Sequence, residues 1–78
     1  MDNNWIEKNN ALEKTFRFIS FTEAIHWMLR ASIEIEKINH HPEWTNVYNK
    51  VLVRITTHDS GSTITEKDYQ LAEILDKV

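Results

Sequence analysis

The sequence feature that most restricts the fold of this chain is a long amphipathic segment that begins at Ser20 and stops before Pro42, the only proline. Ser20 and Glu23 have the spacing of a capping box, which marks the start of a helix. Pro42 cannot continue a helix and disfavours helical geometry at His41. The segment therefore predicts a helix of roughly five turns that ends near Ile38. Its expected buried stripe recurs at helical spacing and consists of Phe21, Ala24, Ile25, Met28, Ala31, Ser32, Ile35 and Ile38.

Trp27 lies beside the polar face of this helix, which also carries His26 and Arg30. We expect this indole either to be covered in part by the N-terminal strands or to belong to a subunit contact. His26 is expected to be a solvated surface residue.

Upstream of the helix, two short stretches predict a β-hairpin. Residues 5–7 form a strand candidate that ends at Lys8-Asn9-Asn10, where consecutive asparagines tolerate the positive φ of a tight turn. Residues 11–19 then alternate, and one face of this strand carries Leu12, Phe16 and Phe18. A period of two with aromatic side chains is typical of a strand with one buried face.

Downstream of Pro42 the pattern predicts a second hairpin and a second helix. Residues 44–48 form a brief extended run, and Asn49-Lys50 is predicted to be a two-residue loop. Residues 51–58 form the clearest strand, with one face made by Val51, Val53 and Ile55. A polar loop with the single glycine then leads to a helix capped by Thr65 or Thr63, whose buried stripe is Leu71, Ala72, Leu75 and Val78.

The resulting element order is ββαββα, which predicts the α+β class with an antiparallel sheet and helices packed on one of its faces. The 78 residues suffice for one small domain, residues 1–78. No cysteine is present to crosslink the small core, so self-association is an expected remedy.

The charge distribution excludes several classes of function. The formal net charge is −3, and no cluster of lysines or arginines occurs, so direct nucleic-acid binding is not expected. Apolar runs are too short for a membrane span, and the N-terminus lacks the features of a signal peptide. The expected location is cytoplasmic.

Three of the four histidines lie at ends of predicted elements, which favours proton chemistry. His40 and His41 follow the long helix, and His58 ends the best strand. Imidazole is the side chain that gives and takes protons near neutral pH, which suits general acid–base catalysis. Glu36 lies four residues before His40 and is expected to hydrogen-bond its ring. Asp68 fits the third position of a capping box that begins at Thr65.

The same residues also allow other interpretations. A histidine at a helix C-terminus is often only a favourable partner of the helix dipole. A zinc site built from three histidines is disfavoured, because the side chains of adjacent His40 and His41 diverge. Nucleophilic catalysis lacks a cysteine and a serine elbow, and phosphate cradling lacks glycines.

The spacing of the polar residues resembles a known signature. Glu36 is followed after three residues by His40-His41-Pro42, after five more by Tyr48, after nine more by His58, and then by Asp68. The segment around it, including His41-Pro42-Glu43-Trp44 and Thr57-His58-Asp59, agrees as well. In this respect the chain resembles the pterin-4a-carbinolamine dehydratases over nearly its whole length.

This resemblance implies a four-stranded antiparallel sheet, a homodimer or homotetramer, and no metal or organic cofactor. The implied reaction is dehydration of 4a-hydroxytetrahydropterin to quinonoid dihydropterin, in tetrahydrobiopterin recycling linked to aromatic amino-acid hydroxylation. Catalysis would fall to His40, His41 and His58, with His40 and His58 as the acid/base pair and His41 mainly binding substrate. The substrate-binding residues would be Glu36, His40, His41, Pro42, Thr57, His58 and Asp59, with Asp68 supporting the histidines or capping a helix.

The chain departs from the family pattern in three respects. An N-terminal helix that usually precedes the position of Trp5 is expected to be absent here. The loop after His58 is one residue longer than the commonest bacterial form, and Ser62-Thr63 stand where a second glycine is usual. Animal members also act as dimerisation partners of a transcription factor. The alternative function is therefore a non-catalytic interaction module of the same fold.

Overall fold

The computed structural model describes residues 4–58 and 61–78. It confirms the predicted α+β class and the order ββαββα. The elements are strands β1 (Ile6–Lys8) and β2 (Ala11–Arg17), helix α1 (Phe21–Ile38), strands β3 (Glu43–Val47) and β4 (Lys50–Ile55), and helix α2 (Glu66–Lys77). Strand β4 is shorter than expected, since beyond Ile55 only an isolated bridge joins Thr57 to Thr63.

The four strands form one antiparallel sheet in the order β1-β2-β4-β3. Strand β4 lies inside the sheet, with Ile55 opposite Leu12 of β2 and Val53 opposite Trp44 of β3. Because side chains alternate along a strand, the predicted face of β4 is buried under the helices, whereas Leu52 is exposed on the other face. The strand with the clearest sequence pattern, β4, is thus an inner strand of the sheet that pairs with β2 and β3.

Trp27 lies at the centre of the hydrophobic core and not at a subunit contact. Its side chain is only 4% exposed. The ring centroid lies 4.5 Å from that of Phe16 and 5.5 Å from that of Phe18, both on the N-terminal hairpin side, and 6.2 Å from Trp44. Of the two expectations for this indole, coverage by the N-terminal strands is confirmed, and β3 adds to it.

Because Trp27 is buried, the face of α1 that packs on the sheet differs in part from the predicted buried stripe. The buried positions of α1 are Ala24, Trp27, Ala31 and Ile35. Phe21 and Ile25 were expected in the stripe but are exposed, because the large indole, and not these side chains, points at the sheet. An exposed apolar ridge therefore remains along α1.

The loop of the second hairpin lies one residue earlier than predicted. Val47 pairs with Lys50, so the loop residues are Tyr48 and Asn49 and not Asn49-Lys50. Asn49 is held in the loop because its carbonyl accepts from the Phe18 N–H at 2.8 Å and its side-chain amide donates to the Phe18 carbonyl at 2.9 Å. Tyr48 takes the positive φ of 53° that the turn requires.

A cluster of Trp5, Lys14 and Asp76 joins the N-terminal strands to α2. The Asp76 carboxylate accepts from the Trp5 indole N–H at 3.0 Å and from the Lys14 ammonium at 2.6 Å. The ammonium also lies 4.7 Å from the centroid of the Phe16 ring, so a cation–π contact supports the pair. Neither described helix is long and apolar enough to cross a membrane.

Candidate active site

The position of the adjacent histidines is set by the way α1 ends. Ser20 caps the helix start by accepting from the Glu23 N–H at 3.1 Å, and Asn39 ends the helix in the left-handed region with a φ of 51°. Asn tolerates this conformation, which reverses the chain after the last turn. His40 therefore does not continue the surface of α1 but turns towards α2.

His40 contacts a buried carboxylate from α2. Its Nε2 lies 2.7 Å from Asp68 Oδ1, and the side chains of His40 and Asp68 are 13% and 0% exposed. The sequence separation of 28 residues means that the pair is made by the fold and not by local geometry. A buried polar contact of this length aligns the imidazole ring.

Asp68 also holds the start of α2 and the end of β4. Its Oδ2 accepts from the Thr65 backbone N–H at 2.7 Å and from the Thr57 hydroxyl at 2.8 Å. The predicted capping contact with Thr65 is confirmed, and the same carboxylate also hydrogen-bonds Thr57 and His40. Burial acts to raise the pKa of Asp68, yet the hydrogen bonds from His40, Thr65 and Thr57 outweigh it, and the pKa lies below its ordinary value.

The ionised state of Asp68 fixes where the proton of neutral His40 lies. An ionised carboxylate can only accept, so His40 Nε2 must carry the hydrogen that Asp68 Oδ1 receives. His40 Nδ1 is then the nitrogen with a lone pair. The geometry thus prepares His40 to accept a proton through Nδ1.

The second histidine has a carboxylate partner of a different kind. His41 Nε2 lies 2.6 Å from Glu36 Oε1, and both side chains are exposed. The expectation that Glu36 would hydrogen-bond His40 was wrong, because the left-handed Asn39 turns His40 away and brings His41 back over the last turn of α1. The described residues therefore include two carboxylate–imidazole pairs, one buried and one exposed to solvent.

The histidines line one pocket of about 250 Å³ at the ends of α1 and β4. Of the predicted site residues, this pocket brings together His40, His41, Thr57 and His58. Glu36 and Pro42 line a neighbouring groove, and His41 lines both this groove and the pocket. His58 is exposed, and its Nδ1 lies 3.4 Å from the Ser62 hydroxyl. Asp59 lies outside the described residues.

Three lining residues of the pocket were not predicted, namely Asn39, Thr56 and Lys67. Lys67 precedes Asp68, and the capping contact of Asp68 places this first turn of α2 beside the histidines. The sequence signal for Lys67 is its position next to Asp68, at the predicted start of a helix. Within residues 4–58 and 61–78, no group of three or more His, Cys, Asp or Glu side chains is placed to hold a metal ion.

Comparison with known proteins gives this arrangement a family. The sequence profile described as Pterin 4 alpha carbinolamine dehydratase matches residues 1–78. The chain belongs to the pterin-4-alpha-carbinolamine dehydratase family. It is thereby an enzyme of the lyase class, and the resemblance read from the histidine spacing is confirmed.

Relatives from several bacteria support the assignment to this family. The chain is 53% identical to a protein of Opitutus terrae over 74 residues, which are 95% of this chain and 76% of the relative. It is 47% identical to a protein of Prochlorococcus marinus strain NATL2A over 74 residues, 95% of this chain and 77% of the relative. Both relatives are provisionally named pterin-4-alpha-carbinolamine dehydratase.

A solved structure from the same family has the same fold. The crystal structure of a transcriptional coactivator/pterin dehydratase from Brucella melitensis superposes with a TM-score of 0.90 at 34% sequence identity. The match covers 96% of this chain and 81% of the Brucella chain. The four-stranded sheet with two helices therefore has the same fold as the matched part of this pterin dehydratase.

Proposed function

We propose that the pocket binds a 4a-hydroxytetrahydropterin and catalyses loss of water to give the quinonoid dihydropterin. The observation that carries this proposal is the set of three imidazoles around one pocket, one of which is held by the buried, ionised Asp68. Membership in the dehydratase family supports the choice of substrate. Recycling of tetrahydrobiopterin after aromatic amino-acid hydroxylation, in the cytoplasm, belongs to the same proposal.

The reaction needs two proton transfers at adjacent ring positions. A base removes the proton from N5, the electron pair forms the C4a–N5 double bond, and the C4a–O bond breaks. An acid protonates the departing oxygen, which leaves as water. One general base and one general acid are therefore sufficient, and each contributes roughly 10²- to 10⁴-fold in rate.

The pocket offers both groups. His40 is the candidate base, because its contact with Asp68 leaves Nδ1 as the proton acceptor. His58 is an exposed residue that lines the same pocket, and it is the candidate acid. His41 would mainly bind the substrate by hydrogen bonding, with Thr57 supporting Asp68 from behind. Asp59 would complete the contacts around the pterin.

The experiment is a coupled assay in which an aromatic amino-acid hydroxylase generates the carbinolamine and its decay is followed by absorbance. We expect the wild-type chain to accelerate the decay and the variants His40→Ala and His58→Ala to lose most of that acceleration. His26→Ala is the matched control, since His26 is exposed on α1 away from the pocket. Full acceleration in the His40→Ala/His58→Ala double variant would refute the proposed roles.

We also propose that the chain self-associates through the exposed ridge of α1. The side chains of Phe21, Ile25, Leu29 and Ile33 recur every four residues and are between 39% and 64% exposed. A two-fold axis at the midpoint places Phe21 against Ile33 and Ile25 against Leu29, so the ridge is complementary to a second copy of itself. Light scattering after size exclusion is expected to show an oligomer that Leu29→Glu dissociates. A monomeric wild type would contradict this.

A second candidate function is a non-catalytic interaction module. It is favoured by one specific finding, because the Brucella structure of 34% identity is described as both a transcriptional coactivator and a pterin dehydratase. The exposed ridge of α1 is the surface that such a role would use. An inert wild-type chain in the dehydration assay, together with binding of a partner that Leu29→Glu abolishes, would support this second function over the first.

A further inference from the structure

A second groove adjoins the catalytic pocket and is not needed for the proton transfers. Its volume is about 240 Å³, close to that of the catalytic pocket. It lies between the last turns of α1 and the start of β3, and it is lined by Ser32, Ile35, Glu36, His41, Pro42 and Trp44. Among the residues that the structure describes, His41 alone lines both cavities, so this imidazole forms the boundary between them.

The lining of this groove is mostly apolar with one carboxylate. Ile35, Pro42 and Trp44 supply apolar walls, whereas Glu36 is 74% exposed. Glu36 Oε1 is bound to His41 Nε2 at 2.6 Å. A carboxylate has two oxygens with several lone pairs, so it can accept further hydrogen bonds while it keeps its contact with His41. The groove therefore suits a short chain that has an apolar backbone and hydroxyl donors.

The position of the groove relates it to the substrate. In a tetrahydropterin the side chain is attached to C6, which is bonded to N5, and N5 is bonded to the reacting carbon C4a. A pterin whose N5 and C4a lie among the three histidines must therefore direct its C6 substituent along an edge of the catalytic pocket. The groove borders the catalytic pocket at His41, which lines both cavities.

We propose that this groove binds the hydroxylated side chain on C6 of the pterin substrate, with Glu36 accepting hydrogen bonds from its hydroxyls. This inference rests on the proposed dehydratase function and adds a specificity-determining residue to it. A phosphorylated side chain is disfavoured because the Glu36 carboxylate repels it. An alkyl side chain would contact the apolar walls but could not donate a hydrogen bond to the Glu36 carboxylate.

The test compares two substrates that differ only at C6, one with a dihydroxypropyl group and one with a methyl group. Both carbinolamines are generated in the coupled assay from the corresponding tetrahydropterins. The measured quantity is the ratio of kcat/KM for the two substrates. Since a hydrogen bond contributes about 0.5–1.5 kcal/mol net, we expect the wild type to prefer the hydroxylated substrate by roughly two- to twelvefold.

Two variants and one control locate the preference in the groove. Glu36→Gln removes the charge, and Ser32→Leu fills the groove from a helix position where Leu is a good helix former. Both are expected to bring the ratio close to one. Glu34→Gln is the matched control, because it makes the same change two residues away on α1, where Glu34 lines a different groove. The control is expected to keep the wild-type ratio.

The ratio separates this inference from the function on which it rests. Any effect of Glu36→Gln on catalysis through His41 changes the rates for both substrates alike and cancels in the ratio. If both carbinolamines are dehydrated but Glu36→Gln and Ser32→Leu keep the wild-type preference, the side-chain site is refuted and the dehydratase function stands. If the wild type accelerates neither reaction, the proposed function is itself refuted, together with this inference.

Discussion

Replacement of Asp68 by Asn tests whether the buried carboxylate determines the proton position on His40. Asn has nearly the same shape, and its oxygen can still accept from the Thr65 N–H and the Thr57 hydroxyl. Its amide would then face His40 Nε2 as a donor. His40 would be forced into the other tautomer, with the hydrogen on Nδ1, and would lose its capacity to accept a proton there.

The expected magnitude follows from the contacts of Asp68. Loss of one general base corresponds to a fall in kcat of roughly 10²- to 10⁴-fold. Bonds to an ionised group contribute about 1.5–3 kcal/mol, against about 0.5–1.5 for neutral ones, so three weakened contacts cost about 3–4.5 kcal/mol of unfolding free energy. A domain of this size has roughly 4–12 kcal/mol in total, so the variant is expected to be folded but less stable.

The assay pairs initial dehydration rates with urea unfolding followed by circular dichroism. Asp76→Asn is the control, because Asp76 is another hydrogen-bonded carboxylate of α2, 15% exposed, that contacts Trp5 and Lys14 instead of a histidine. We expect the control to lose stability while its kcat stays near wild type. An Asp68→Asn variant that is folded and retains wild-type kcat would refute the argument about the tautomer of His40.

Three further predictions follow from other contacts. The pKa of folded Asp68 lies below its ordinary value, so the contribution of its carboxylate to stability is present above about pH 4 and is lost as the pH falls further. In urea unfolding between pH 6 and pH 3, the unfolding free energy should therefore fall less with decreasing pH in Asp68→Asn than in wild type. His58→Ala should change the unfolding free energy by less than about 0.5 kcal/mol, since this side chain is exposed, while the dehydration rate falls. Lys14→Met should destabilise by less than the roughly 3–5 kcal/mol of a fully buried pair, because Asp76 keeps its hydrogen bond from the Trp5 indole, and thermal unfolding would measure the loss.

Local sequence patterns were enough to predict most of the fold. The bounds of α1 could be predicted because Ser20 starts it and Pro42 prevents its continuation, and both effects act within one or two turns. The inner face of β4 could be predicted because strand alternation does not depend on the rest of the molecule. The face of α1 could not be predicted fully, because the burial of Trp27 depends on aromatic rings from two different strands.

The hydrogen-bond partners of the histidines were harder to predict than the helices and strands, because they depend on the tertiary fold. Spacing alone favoured Glu36 as the partner of His40, on the assumption that the helix continued to that residue. A single left-handed residue, Asn39, changes the direction of the chain and exchanges the partners. The true partner of His40 is 28 residues away on α2, a contact that periodicity cannot indicate. The signature that ends at Asp68 indicated that this residue matters, but the spacing alone could not predict that its carboxylate contacts His40.

The contacts of Asp68 join the stability of α2 to the alignment of His40, and this has a consequence for Thr57. The Thr57 hydroxyl donates to Asp68 Oδ2 at 2.8 Å and lies 2.7 Å from the Thr65 hydroxyl, so it helps to keep the carboxylate ionised and in place. Thr57→Val removes this donor from a buried site while it keeps the shape of the side chain. Because Thr65 N–H and His40 still bind Asp68, the tautomer of His40 should persist. Thr57→Val should therefore lower stability more than it lowers kcat, the reverse of the order expected for His58→Ala.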